Sequence, residues 1–235
     1  MRVLFTIQYL GTRYAGWQSQ ANALSVQQVI EEALEKIFHR SLRAHGAGRT
    51  DAGVHALAQR AHVDTPFYIP PRGLMLGINQ LLPPDVRVTR AEEVAGDFHA
   101  RFSAKAKTYE YRIWNTEVAD VFASETHAHV PQEIHVRLMH EAAQRLKGTH
   151  DFAKFTVAEP EVESTTRTIE SIDVAREGRA VHISVTADGF LRYMVRRIAG
   201  SLIEIGRDRL NADALFDEAR WTAPAKGLVL KEIRY

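Results

Sequence analysis

Apolar residues along this chain recur with two different periods, and the alternation between them lays out the secondary structure. Met1-Arg2-Val3-Leu4-Phe5-Thr6-Ile7 reads directly as a first strand. Ser25-Val26-Gln27-Gln28 has the layout of a capping box, in which the Ser25 hydroxyl and the Gln28 side chain serve amides that a helix start leaves without partners. The helix it opens carries Val26, Val29, Ile30, Ala33, Leu34, Ile37 and Phe38 as a helical apolar stripe. A shorter helix covers residues 74–81 and stops at Pro83-Pro84. Val86-Arg87-Val88 begins another strand. Over residues 107–114 the period is two, with Tyr109, Tyr111 and Ile113 on one face and Glu110 and Arg112 on the other. Leu138, Met139, Ala142 and Leu146 mark a second amphipathic helix. Strands follow near residues 166–174 and 180–187, joined by a turn at Glu177-Gly178. A third helix runs from about Leu191 to Ile205, and a last strand covers residues 228–233.

Strands, a long helix and more strands therefore occur twice, with a join near residues 95–104 and no low-complexity linker. This pattern predicts an α+β protein of two halves packed side by side, with sheets that can merge. The boundary is placed so that residues 1–97 form an N-terminal lobe and 98–235 a C-terminal lobe. A cleft between such halves is where a ligand is expected.

Composition narrows the chemistry more than the fold. At 235 residues and 45% hydrophobic content the chain can bury a large core. No apolar run is long enough to cross a bilayer, and the N-terminus lacks a secretory signal, which fits a cytoplasmic protein. The absence of Cys excludes disulfides, thiol nucleophiles and Cys-ligated zinc. Net charge is +1, so any surface that binds a polyanion must come from local clustering.

The densest chemical signal is Gly48-Arg49-Thr50-Asp51-Ala52-Gly53-Val54-His55, which sets one carboxylate between two glycines in a polar turn. Strand-like sequence brackets it: Leu42-Arg43-Ala44-His45 before, and Leu57-Ala58-Gln59-Arg60-Ala61-His62-Val63 after. Gly allows backbone conformations closed to other residues and lets a ligand approach the main chain, so Asp51 is well placed to act on something in a cleft. An ordinary hairpin whose Asp satisfies turn amides has the same local sequence. A phosphate-binding P-loop is excluded, because Val54 and His55 stand where Lys and Ser or Thr are needed. The dinucleotide fingerprint is excluded too, because Gly46 and Gly48 start it but Asp51 occupies the third glycine position.

The third helix is apolar or small around much of its circumference, with Leu191, Met194, Val195, Ile198, Leu202 and Ile205 on one face and Tyr193, Gly200 and Ile203 around the other side. Arg196 falls in the second sector, and a buried guanidinium requires an anionic partner. Arg192, Arg196 and Arg197 read equally as a solvated basic face on periodicity alone. Basic and aromatic residues interleave through Phe98-His99-Ala100-Arg101-Phe102-Ser103-Ala104-Lys105-Ala106-Lys107-Thr108-Tyr109. Cations suit phosphates and a Tyr ring suits stacking on an unpaired base, although a strand Tyr is more often a core residue.

Six motifs, in order, give the chain a resemblance to the tRNA pseudouridine synthase A family that covers nearly its whole length. They are Tyr14-Ala15-Gly16-Trp17-Gln18, Ser25-Val26-Gln27, the Asp51 loop, Phe98-His99-Ala100-Arg101-Phe102-Ser103-Ala104, Tyr109-x-Tyr111, and Met194-Val195-Arg196-Arg197-Ile198-Ala199-Gly200-Ser201-Leu202. The resemblance implies the pseudouridine synthase fold: two α/β lobes whose mixed, largely antiparallel sheets join across a central RNA-binding cleft. It also implies a homodimer, tRNA as partner, and conversion of uridines at positions 38, 39 and 40 of the anticodon stem-loop to pseudouridine, with no cofactor, metal or membrane. The catalytic aspartate maps onto Asp51, the arginine paired with it onto Arg196, and the uracil-stacking tyrosine onto Tyr109. Arg49 matches the residue that helps hold the target nucleotide out of the stack, and His55, Arg101 and Arg192 are further candidates for substrate contact.

The reaction suits these residue types. It breaks the bond from ribose C1′ to uracil N1, turns the base and forms a bond to C5, so nothing is oxidised and no group is imported. A carboxylate can hold one fragment covalently while the other reorients, and a neighbouring guanidinium favours its charged form. Departures from the family pattern are few: the segment after Asp151-Phe152-Ala153-Lys154-Phe155 lacks a cysteine, and no long tail follows Tyr235. The competing readings are a noncatalytic RNA-binding protein and a metal-dependent hydrolase using His127-x-His129 or His55 with His62.

Overall fold

The computed structural model describes residues 1–157 and 163–235, so part of the segment after Phe155 that lacks a cysteine lies outside the described residues. In chain order the elements are β1 (Arg2–Tyr9), α1 (Val26–Phe38), β2 (His45–Gly46), β3 (His55–Asp64), α2 (Pro71–Leu81), β4 (Val86–Val94), β5 (Ala106–Trp114) and β6 (Ala128–His129). After these come α3 (Val136–Gln144), β7 (Gly148–Asp151), β8 (Thr166–Glu177), β9 (Ala180–Ala187), α4 (Met194–Gly206) and β10 (Leu228–Arg234). Two compact units emerge: Met1–Lys105 with Leu230–Tyr235, and Ala106–Val229.

In the first unit β1 is the middle strand, antiparallel to β3 on one side and to β4 on the other. Val3, Phe5 and Ile7 are fully buried on one face of β1, and Leu4 is buried on the other. Helices α1 and α2 pack against each other, and α2 lies on β4. The stripe of α1 is buried at Val26, Ile30, Ala33, Leu34 and Phe38, with Val29 and Ile37 half-buried at its edge. Only half of the expected capping box forms. The Ser25 hydroxyl accepts from the Gln28 amide at 3.1 Å, but the Gln28 side chain runs forward to Glu32 at 2.8 Å, the i, i+4 partner on the helix face. Helix α2 begins at Pro71, three residues before the expected start, because a proline at the first helical position gives up no bond.

The second unit is an antiparallel sheet in the order β5-β9-β8-β7, with the short β6 parallel beside β5. Tyr109, Tyr111 and Ile113 pair with Val185, Ile183 and Val181 of β9, and all six are buried. Gly178, at φ +58, makes the tight β8-to-β9 turn. Helix α3 packs on β8 and on α4. Helix α4 starts at Met194, later than periodicity suggests, because Tyr193 takes a left-handed backbone conformation (φ +62) and ends the helical dihedrals there. Leu191 is buried just ahead of the helix. Both units combine helices with largely antiparallel strands, which is the α+β class expected from the sequence.

Candidate active site

The Asp51 loop is held by backbone contacts from the segment that carries Tyr14-Ala15-Gly16-Trp17. Asp51 to Val54 forms a turn closed by the Val54 amide donating to the Asp51 carbonyl at 3.1 Å. Gly53 takes φ +78 at its third position, where side chains other than Gly and Asn are disfavoured. The Gly53 amide donates to the Tyr14 carbonyl (3.2 Å), and the Trp17 amide donates to the Thr50 carbonyl (3.2 Å). Approach this close needs missing side chains. A Cβ on Gly11 would lie 1.9 Å from the Val54 carbonyl oxygen, and one on Gly16 (φ +94) 2.2 Å from that of Thr50. Beneath the loop, Thr50 and Tyr9 share a hydroxyl hydrogen bond of 2.9 Å, and Gln59 donates to the Gly48 carbonyl at 2.9 Å. Tyr9 and Gln59 are buried, while Asp51 itself is half-buried. The carboxylate therefore projects from a turn whose backbone has little freedom to move.

His55 lies under this turn, 2% exposed, and its Nδ1 accepts the Gly11 amide at 2.8 Å. That bond fixes the neutral ring with its proton on Nε2. Arg49 is exposed at the loop's edge. Gln27, from the Ser25-Val26-Gln27 motif, is a buried polar staple. Its side chain accepts from the Ser19 amide (2.8 Å) and donates to the Ala44 carbonyl (3.0 Å), tying α1 to both approaches to the loop. Gln59 and Tyr9 were not expected from the sequence, and Gln27 only as a member of its motif. Their signal is a polar group at a position whose periodicity demands burial.

In the second unit Tyr109 is 7% exposed on β5, its ring edge-on to Phe190 with centres 5.1 Å apart. Tyr111 is fully buried and donates to the Pro224 carbonyl at 2.8 Å. Arg196, half-buried on the first turn of α4, donates through Nε to the Ala223 carbonyl at 2.8 Å. Its guanidinium carbon lies 5.1 Å from the Tyr193 ring centre, as does that of Arg192. Arg197 donates to the Lys154 and Thr156 carbonyls at 2.9 and 2.6 Å. Arg192 is exposed, but Arg196 and Arg197 are tied into the unit, so the three do not form a uniformly solvated face. Tyr193, which the sequence reading placed only on a helix side, holds its φ of +62 between the two arginines.

Arg101 lies exposed on the turn that follows His99. His99 Nδ1 accepts the Arg101 and Phe102 amides at 3.1 and 3.4 Å, and the His99 amide donates to the Ser103 hydroxyl at 3.1 Å. His62 Nδ1, from β3, accepts the Ala100 amide at 3.1 Å. His45, His62 and His99 are the group of possible metal-binding side chains among the described residues, with ligand atoms within 4.8 Å of one another. Their hydrogen bonding argues against such a use. An Nδ1 that accepts an amide leaves Nε2 carrying the proton, so His62 and His99 present N–H donors where a metal needs lone pairs. The histidines proposed for a hydrolase are engaged elsewhere: His129 Nε2 meets the Thr116 carbonyl at 2.7 Å, and His127 Nδ1 meets the Thr126 hydroxyl at 3.0 Å.

Burial, together with His45, His99 and Arg2 nearby, pushes His62 down to about 4, against a smaller opposing effect of Asp64. The folded state prefers the neutral ring, so this stabilisation is complete above the ordinary value of 6.5 and is lost as pH falls from there through about 4. His62→Asn keeps an acceptor for the Ala100 amide and removes the titration. Its thermal midpoint should therefore fall less than that of the wild type between pH 6.5 and 4, although it starts lower at neutral pH. Melting curves across that range with identical slopes would contradict this role of His62.

The sequence profile of the tRNA pseudouridine synthase family matches residues 6–103 and 142–235. The chain is 41% identical to tRNA pseudouridine synthase A of Ruminiclostridium cellulolyticum over 243 residues, covering 100% of this chain and 99% of that protein. It is 42% identical to tRNA pseudouridine synthase A of Rhodopseudomonas palustris, with 100% and 99% covered, and 41% to that of Myxococcus xanthus, with 100% and 92% covered. Among solved structures, an archaeal box H/ACA sRNP Nop10-Cbf5 complex aligns with 86% of this chain and 44% of that chain, at 12% identity and a TM-score of 0.37. With a family profile over most of the sequence and full-length relatives above 40% identity, the chain belongs to the tRNA pseudouridine synthase family.

Proposed function

We propose that this protein converts uridines at positions 38, 39 and 40 of the tRNA anticodon stem-loop to pseudouridine, without a cofactor, in the cytoplasm and as a homodimer. The observation that carries the reading is the Asp51 turn, a carboxylate on a loop braced from several sides in a chain of this family. No helix among the described residues is long and apolar enough to cross a membrane, which is compatible with this location.

In this reading Asp51 is the nucleophile. It attacks either C6 of uracil or C1′ of ribose, and both routes require an ionised carboxylate. The N1–C1′ bond breaks, the base turns, the C5–C1′ bond forms, and the C5 proton leaves. Arg196 supplies the positive charge that keeps Asp51 ionised. A base inside a helix is out of reach, so it is extruded at a cost of a few kcal/mol, which Tyr109 offsets by stacking. Arg49 holds the vacated stack, Arg101 and Arg192 take phosphates, and His55 serves from below by fixing the turn. Incubating purified protein with unmodified tRNA and mapping pseudouridine by mass spectrometry tests the assignment. Product in the anticodon arm is expected, and product confined to other arms would overturn it.

Tyr109 separates two contributions. Tyr109→Phe keeps the ring and its edge contact with Phe190, whereas Tyr109→Leu loses stacking as well. If the hydroxyl assists removal of the C5 proton, the Phe variant binds tRNA normally but turns over about 10²–10⁴-fold more slowly. Full turnover of Tyr109→Phe would confine the residue to stacking.

A further inference from the structure

The turn from His99 to Ser103 presents an aromatic ring to solvent at 77% exposure, that of Phe102, in a chain of a tRNA-modifying family. It is not a loose side chain. Its ring centre lies 4.4 Å from that of His99, His99 sits edge-on to His62 at 4.7 Å, and His62 stacks on His45 at 4.9 Å with planes 18° apart. The backbone under it is fixed by the His99 and His62 Nδ1 acceptors and by the Ser103 amide donating to the His99 carbonyl at 2.9 Å. Arg101 places its guanidinium carbon 5.7 Å from the Phe102 ring centre, and among the described residues no carboxylate lies within ion-pair distance of it. Arg2 ties the preceding chain to β1 through the Phe98 carbonyl at 2.9 Å.

An exposed aromatic ring on a rigid mount, with an arginine free to meet an anion beside it, has the chemistry of a single-stranded nucleotide subsite. Stacking is open to any base, and the cation suits the attached phosphate. We infer that Phe102 and Arg101 form an RNA subsite that stacks one unpaired base of the tRNA and holds its phosphate. The histidine stack preorganises this platform, so little ordering entropy is lost when RNA arrives. Burial keeps His62 and His99 on the neutral side, which preserves the two acceptors that shape the turn. The inference rests on the proposed function in one respect only, that the ligand is tRNA.

The test is equilibrium binding of unmodified tRNA, and of a fully paired RNA duplex, to the wild type, Phe102→Ala and Phe102→Trp. Base–aromatic stacking is worth about 1–3 kcal/mol per base, so Phe102→Ala should weaken tRNA binding roughly 5–150-fold and leave duplex binding unchanged. Phe102→Trp should restore tRNA binding, because a larger ring stacks at least as well. Arg101→Gln should reduce the slope of log affinity against log salt by roughly 0.7. An affinity of Phe102→Ala for tRNA within twofold of the wild type overturns the subsite. So does a changed oligomeric mass with unchanged tRNA affinity, which would assign the ring to a protein contact. Because Phe102 is exposed, its variants should melt like the wild type, and a lowered midpoint with a matching loss of duplex binding also counts against the subsite. Pseudouridine formation by the wild type on the same tRNA is scored separately, so failure of the reaction and failure of the subsite are distinguishable.

Discussion

Asp51→Asn lowers pseudouridine formation by roughly 10⁴-fold or more, the scale seen when a covalent nucleophile is removed, and leaves tRNA affinity near that of the wild type. The amide has the shape of the carboxylate and is accepted in turns, so the fold around it should survive. Three backbone bonds brace the loop: the Val54 amide on the Asp51 carbonyl, the Gly53 amide on the Tyr14 carbonyl, and the Trp17 amide on the Thr50 carbonyl. None of these bonds uses the Asp51 side chain. The variant should therefore stay folded, and a labelled tRNA should report comparable affinity. Turnover within tenfold of the wild type would remove Asp51 from the chemistry.

Arg196→Met is the second large effect. Met keeps much of the side-chain length and removes both the charge and the Nε donor. Two consequences separate. The bond to the Ala223 carbonyl and the contact with the Tyr193 ring are local to the second unit, and their loss lowers stability by about 1–3 kcal/mol. If Arg196 also supplies the charge that keeps Asp51 ionised, activity falls severely and the acidic limb of the pH–rate profile moves to higher pH. Arg196→Lys retains a charge but not the planar fork, so it should recover part of the acidic limb without recovering full stability. A stable Arg196→Met enzyme with normal turnover and an unmoved acidic limb would sink the ion-pair role.

Legibility of the molecule followed the physics of each signal. Strands β5 and β9 were readable because a two-residue period on a half-buried sheet leaves little ambiguity, and β1 because its apolar run is short and rich in strand formers. The α1 stripe was readable for the same kind of reason. The start of α4 was not, because its limit is a left-handed Tyr193, and no periodicity announces a strained φ in a bulky residue. The two-residue β2 and the four-residue β7 are too short to show a period at all. The Asp51 turn was visible through its glycines, but the reason for Gly11 and Gly16 was not. They face the loop from a segment more than thirty residues away in sequence, and only a fold brings a Cβ position within 1.9 Å of the Val54 oxygen. The support from Tyr9, Gln27 and Gln59 was hidden for a related reason. A buried polar side chain is legible as functional only once its partners are known.

The central claim is that Asp51 carries out uridine isomerisation in the tRNA anticodon arm. Forming the new C–C bond expels the hydrogen of C5, so tRNA whose uracils carry tritium at C5 reports the reaction as tritium released to water. The wild type should release one tritium for each pseudouridine found in the anticodon arm, and Asp51→Asn should release none above background while still binding the tRNA. A wild type that releases no tritium, or an Asp51→Asn variant that releases it at the wild-type rate, would contradict the account.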